Sequence, residues 1–230
     1  MTHILSQSRK IRNYKGRIKL FLYFCLLKYK RSVSVHIFPV YERSVTRQTK
    51  EKLLNQRGQV LWLTGLSGSG KTTLALALEK KLTEGGHLVA LLDGDNVRDR
   101  LCGDLSFTQE GRHENIRRIA EVARILMHNG LVVLCSFVSP EESMRKAAAD
   151  IIGMEDFHLV YVKASVETCT ARDTKGLYEK ALKGEIKNFT GVSAPFDVPA
   201  NPDLILDTEK NEATEDLETL LNYTKKHIQI

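Results

Sequence analysis

The sequence predicts an α/β fold: a doubly wound, five-stranded parallel sheet with helices on both faces, preceded by a basic N-terminal extension. Three observations predict it. Five short apolar runs alternate with segments of helical periodicity. The runs are apolar throughout, as strands covered on both faces are. The first run ends in a glycine-rich loop that leads straight into a helical segment.

"GQVLWLTG" (Gly58 to Gly65) is the first buried strand. "TTLALALEKKLTEGG" has apolar residues at helical spacing and a Gly-Gly stop. "HLVALLDGD" is the second strand. In "TQEGRHENIRRIAEVARILMHNG", Ile116, Ile119, Val122, Ala123 and Leu126 share one helical face, and Asn-Gly closes the helix. "LVVLCSFVS" is the third strand and "EESMRKAAADIIG" a helix. "FHLVYVKA" is the fourth strand, and "SVETCTARDTKGLYEKALKGE" reads as largely helical. "DLILDT" is a short fifth strand before a closing helix, "ATEDLETLLNYTKKHI".

The 230 residues suit one such domain plus a tail. The net charge of +6 is unevenly spread. Residues 1–50 hold 12 Lys/Arg and one acid, whereas residues 51–230 hold 22 Lys/Arg and 27 Asp/Glu. Basicity therefore belongs to the N-terminal segment, and the main domain gives no electrostatic case for nucleic-acid binding. The expected division is a basic, poorly ordered extension over 1–44 and one folded domain over 45–230. Within the extension, "IKLFLYFCLL" (Ile18 to Leu27) is about half the length a membrane span requires. No stable membrane insertion is expected. A weak surface anchor, an organelle-targeting segment and an extension without a role remain open. The four cysteines lack C-x-x-C spacing, which excludes the usual zinc and thioredoxin-like patterns. Scattered cysteines suit a reducing, cytoplasmic setting.

"GLSGSGKT" (Gly65, Leu66, Ser67, Gly68, Ser69, Gly70, Lys71, Thr72) fits G-x-x-x-x-G-K-[ST] between a strand and a helix. Backbone N–H groups of such a loop wrap phosphate oxygens at the positive end of the helix. Lys71 reaches the β- and γ-phosphates, and the Thr72 hydroxyl ligates Mg²⁺. ATP is the expected donor; Thr73 continues the site. The motif alone does not name a reaction. A guanine-reading N-K-x-D is missing from "KNFTG", and the third strand ends in "CSFVSP" rather than in the acids of a motor ATPase. Acids instead follow the second strand, in "LLDGDNVRDRL". This favours a small-molecule kinase with its acceptor beyond the carboxyl ends of the strands. Asp93 and Asp95 offer carboxylates there for a proton or for Mg²⁺. Arg98 and Arg112 offer charge for an anionic acceptor, while Arg117 and Arg118 read equally well as surface charges.

At this point the residues resemble the adenylyl-sulfate kinase family. The resemblance rests on "WLTGLSGSGKTTLA", "LDGDNVR", "DLSF", R-x-E-N-I-R-R, "FVSP", "RDTKGLY" and "GEIKNFTG", in that order, over roughly Val45 to Asp207. It implies transfer of the ATP γ-phosphate to the 3′-hydroxyl of adenosine 5′-phosphosulfate. By the same resemblance Asp93, Asp95, Asn96 and Arg98 hold the acceptor, with Asp95 the base or, with Thr72, the Mg²⁺-organising group. Phe107 and Phe189 clamp its adenine, and Arg112, Asn115, Val138, Asn188 and Lys175 complete the acceptor site. Lys175 lies on a lid-like segment, and Arg172 meets the transferring phosphate or is a solvated helix charge. Ser139 matches a serine assigned in the family as a phosphoserine intermediate, although in-line transfer needs no covalent step. A homodimer is also implied. One departure stands out: the family commonly carries an aromatic and a basic residue after Ser-Pro, where this chain has Glu141 and Glu142. Acids there either repel an anionic acceptor or stabilise the first turn of a helix. A kinase for another hydroxyl acceptor, a nucleotide-binding module without turnover and an adaptor built on the basic tail are the competing readings.

Overall fold

The computed structural model describes residues 40, 43–173 and 175–230. The expectations for the basic extension lie almost wholly outside them. Val45–Ile230 forms one compact unit.

The chain enters through helix α1 (Arg47–Leu54), capped by Thr46. No apolar periodicity announced α1, because none of its residues is buried. A guanidinium holds it in place. Arg47 donates to both carboxylate oxygens of Asp156, at 2.6 and 2.7 Å, and to the Gly58 carbonyl at 2.8 Å.

The elements that follow are β1 (Gln59–Thr64), α2 (Lys71–Glu84), β2 (Val89–Asp93), α3 (Gly94–Asp99), α4 (Gln109–His128), β3 (Val132–Ser136), α5 (Glu142–Ile152), β4 (Phe157–Lys163), α6 (Val166–Arg172), α7 (Leu177–Leu182), β5 (Leu204–Asp207) and α8 (Ala213–Ile228). The sheet runs β2-β3-β1-β4-β5 and all its pairs are parallel. Its central strand explains the continuous apolar runs. Val60 and Trp62 pack into one layer with Ile116, Ile119 and Met144 of α4 and α5. Leu61 and Leu63 pack into the other with Leu74, Leu78 and Leu220 of α2 and α8. Both faces are apolar because both are covered.

The segment expected to be largely helical is helical in α6 and α7, with an interruption between Arg172 and Leu177, where Gly176 takes φ +63°. The Asp-Gly after β2 opens helix α3, with Asp93 as its N-cap accepting from the Asp95 N–H.

Candidate active site

Register brings the site together. Asp93 lies beside Ser136, and Ser136 beside Leu63, so β2, β3 and β1 end at one level. The phosphate loop leaves β1 there. A Cβ on Gly65 would sit 2.3 Å from the Val162 carbonyl oxygen, so the loop can start only with glycine. Gly70 takes φ +99° at the N-cap of α2. Lys71 is buried and donates to the Leu66 carbonyl at 2.6 Å. Burial lowers its ammonium pKa to about 8. Thr72 and Thr73 are exposed on the first turn. Arg172 lies alongside, donating to the Gly68 carbonyl at 3.3 Å and to the Thr208 carbonyl at 2.6 Å.

The carboxylate facing Thr72 is Asp93. The Thr72 hydroxyl donates to it at 2.8 Å, and the Ser136 hydroxyl lies 3.3 Å from Thr72. Asp95 is exposed on α3 and forms an ion pair with Lys175, from the segment between α6 and α7. Asn96 is exposed on the same short helix.

Beyond α3 the structure gathers the expected acceptor residues. Arg98 donates to the carbonyls of Leu105 and Ser106 at 2.9 and 3.1 Å, and its guanidinium sits 4.6 Å from the centre of the Phe107 ring. Phe107 is 67% exposed, far from the core position usual for an isolated Phe. Arg112 ties the two aromatic loops together. It donates to the Phe107 carbonyl at 3.1 Å, the Asn188 carbonyl at 2.6 Å and the Thr190 hydroxyl at 3.1 Å. Asn188 has φ +56°, and Phe189 after it is half-buried. Neither Arg98 nor Arg112 forms an ion pair with a carboxylate among the described residues. Burial lowers the pKa of both guanidiniums, which an anion beside them would offset. One turn along α4, Asn115 is buried and its Oδ1 has no hydrogen-bond partner among the described residues. Arg117 and Arg118 are separate, paired with Glu114 and with Glu114 and Asp104 respectively.

Ser139 does not join this group. It is 3% exposed, at φ +36°. Its oxygen accepts from Trp62 Nε1 at 3.1 Å and donates to the Thr64 hydroxyl at 2.9 Å, while that hydroxyl donates to the Val138 carbonyl at 2.7 Å. Ser139 and Val138 thus pin the β3 exit to β1. The two glutamates are also committed. Glu141 precedes α5 and meets His113 Nε2 at 3.1 Å. Glu142 accepts from the buried Arg145 at 2.6 Å. Residues 102, 135 and 169 are buried free cysteines.

Sequence reasoning passed over Tyr178, whose hydroxyl donates to the Ser67 carbonyl at 2.9 Å. Its place in an apparent continuous helix hid it. A cavity of about 650 Å³ opens at the end of β4, lined by Tyr161, Lys163, Val166, Val192, Phe196 and Glu209 among others. Of the phosphate loop it touches only Leu66, so it is not where the chemistry gathers.

Residues 57–207 match the family model for adenylylsulphate kinase. An adenylyl-sulfate kinase of Phocaeicola vulgatus is 51% identical over 186 residues, covering 81% of this chain and 91% of that protein. The structure of the Mycobacterium tuberculosis APS kinase CysC in complex with AMPPNP and APS superposes with a TM-score of 0.70 at 40% identity, covering 72% of this chain and 96% of that one. A hexameric APS kinase from Thiobacillus denitrificans has a TM-score of 0.57 at 30% identity, covering 75% of this chain and 29% of that one. A phosphate loop facing a β2 carboxylate, with two guanidiniums that form no ion pair among the described residues beside the Phe107 and Phe189 loops, thus occurs here in a chain that belongs to the adenylylsulphate kinase family.

Proposed function

We infer that the chain transfers the γ-phosphate of ATP to the 3′-hydroxyl of adenosine 5′-phosphosulfate, giving ADP and 3′-phosphoadenosine 5′-phosphosulfate. One observation carries the acceptor side. Arg98 and Arg112 form no ion pair with a carboxylate among the described residues, and they stand beside the loops of Phe107 and Phe189. That pairs an anion site with aromatic faces for a planar base. A sugar acceptor has no use for the second aromatic.

The residue roles follow from position. The loop Gly65–Thr73 takes the donor phosphates, with Lys71 leaving the Leu66 carbonyl for a phosphate oxygen. Arg172 covers the donor from α6. Asp95 accepts the proton of the attacking hydroxyl, once the acceptor displaces or shares Lys175. Asn96, Asn115 and Asn188 supply neutral hydrogen bonds to the acceptor. Lys175 closes over the exchange and helps exclude water.

Mg²⁺ fits the donor side. The Thr72 and Ser136 hydroxyls and the Asp93 carboxylate are hard oxygen donors. Among the described residues no cluster of three His, Cys, Asp or Glu can hold a metal alone, which suits an ion arriving with nucleotide phosphates. Bound there, Mg²⁺ would neutralise charge on the phosphates during transfer. A homodimer working in the cytoplasm completes the reading. Among the described residues no helix is long and apolar enough to cross a membrane.

The test is coupled ADP release from Mg-ATP with adenosine 5′-phosphosulfate, using the full chain and an Asp95→Ala control. Turnover by the wild type and its loss in the variant support the reading. ATP binding without turnover would overturn this choice of acceptor.

A further inference from the structure

Tyr178 is 1% exposed, yet it touches both halves of the site. Its hydroxyl donates to the Ser67 carbonyl of the phosphate loop at 2.9 Å. Its ring meets that of Phe189 edge-on, with centroids 5.0 Å apart and planes at 81°. Asp173 fixes the helix that carries it, accepting from the backbone N–H groups of Leu177, Tyr178 and Glu179 at 2.8, 3.1 and 3.0 Å. Burial raises the phenol pKa, so the hydroxyl stays a donor.

The contact with Ser67 has a consequence one bond away. In a trans peptide the C=O and the following N–H point in opposite directions. Drawing the Ser67 carbonyl toward Tyr178 turns the Gly68 N–H away from it. Gly68 sits at φ +79° with no side chain to fix that peptide. Beyond it, the Gly68 carbonyl accepts from Arg172. This stretch of the loop is therefore oriented by side chains from α6 and α7.

We propose that Tyr178 is a positioning residue that couples the acceptor wall to the donor phosphate loop. A base stacked on Phe189 fixes that ring, the ring fixes the Tyr178 edge, and the hydroxyl fixes the Ser67–Gly68 peptide. Binding of one nucleotide is then felt at the other site. The inference rests on the acceptor reading of Phe189.

The experiment is calorimetric titration of the full chain with Mg-AMPPNP, with and without saturating adenosine 5′-phosphosulfate; the analogue prevents turnover. The wild type should bind AMPPNP with a Kd that changes about fivefold or more when the acceptor is present, the low end of ordinary site-to-site coupling. Tyr178→Phe keeps the ring and loses the hydroxyl. It should bring that ratio close to one while leaving the affinity for the acceptor alone unchanged. Phe189→Leu keeps the hydroxyl bond and breaks the ring contact, and it should lower the ratio too. A wild-type ratio of one, or an undiminished ratio in Tyr178→Phe, overturns the coupling. A purely structural tyrosine would lower the melting temperature without moving the ratio, and that result also overturns it. Failure of the wild type to bind the acceptor at all would instead overturn the acceptor reading, and the coupling with it.

Discussion

The hydroxyl of Thr72, in the first turn of α2, donates to the carboxylate of Asp93, the last residue of β2, across 2.8 Å. The other oxygen of Asp93 caps α3, accepting from the Asp95 N–H at 3.1 Å. One carboxylate therefore holds the start of the donor helix and the start of the helix that carries Asp95. The two aspartates of "DGD" are two residues apart in sequence and serve different partners.

That division predicts different failures. Asp93→Asn should lower kcat by roughly 10²-fold or more, the scale of losing one preorganised electrostatic group, and should raise the Mg²⁺ concentration needed for half-maximal rate. Asp95→Asn should lower kcat with the Mg²⁺ requirement unchanged. Magnesium titrations of both variants check this; matching shifts in Mg²⁺ requirement would refute the division.

Ser139 is expected to matter for stability more than for chemistry. Ser139→Ala leaves Trp62 Nε1 buried without its acceptor, a loss of about 1–3 kcal/mol. Turnover should persist within a few-fold when assayed below the melting temperature. Complete loss of activity in a folded variant would restore a covalent role.

Lys71 is a stored penalty. Its pKa is lowered to about 8 from 10.5, so the native state disfavours the charged form. The unfolded chain keeps the proton to higher pH, and stability therefore rises as pH climbs from 8 to 10.5. Below pH 8 the penalty is fully present, on the order of 3 kcal/mol. Lys71→Met should melt several degrees higher than the wild type at pH 7 without nucleotide, with the gap narrowing above pH 10, and should be inactive. Melting curves across pH decide it, and a variant that melts lower at pH 7 would contradict the penalty.

The acids after Ser-Pro separate in the same way. Glu142 pairs with Arg145, which is 1% exposed. Glu142→Ala should destabilise the fold without improving acceptor binding, because it removes the carboxylate partner of a buried guanidinium. Glu141 meets the exposed edge of His113 beside Arg112. Glu141→Gln should lower the acceptor KM by about twofold to fivefold, the scale of one partly exposed charge, with the gain lost at high salt. An unchanged KM at low salt would show that Glu141 does not act on the acceptor.

The sequence by itself determined the layers and the donor site. Trp62 and Leu63 are both apolar because β1 is covered on both faces, and that pattern needs no partner to be read. Gly65–Thr72 is legible for the same reason: a phosphate loop is contiguous, and its chemistry lies in the backbone of successive residues. Only the tertiary structure decided what contacts across long separations do. It set Thr72 against Asp93 and Asp95 against Lys175, joined Ser139 to Trp62, and set Tyr178 between Ser67 and Phe189. The physical reason is that a hydroxyl or carboxylate has many possible partners along a chain. The register of β2 against β3, and the break between α6 and α7, choose among them.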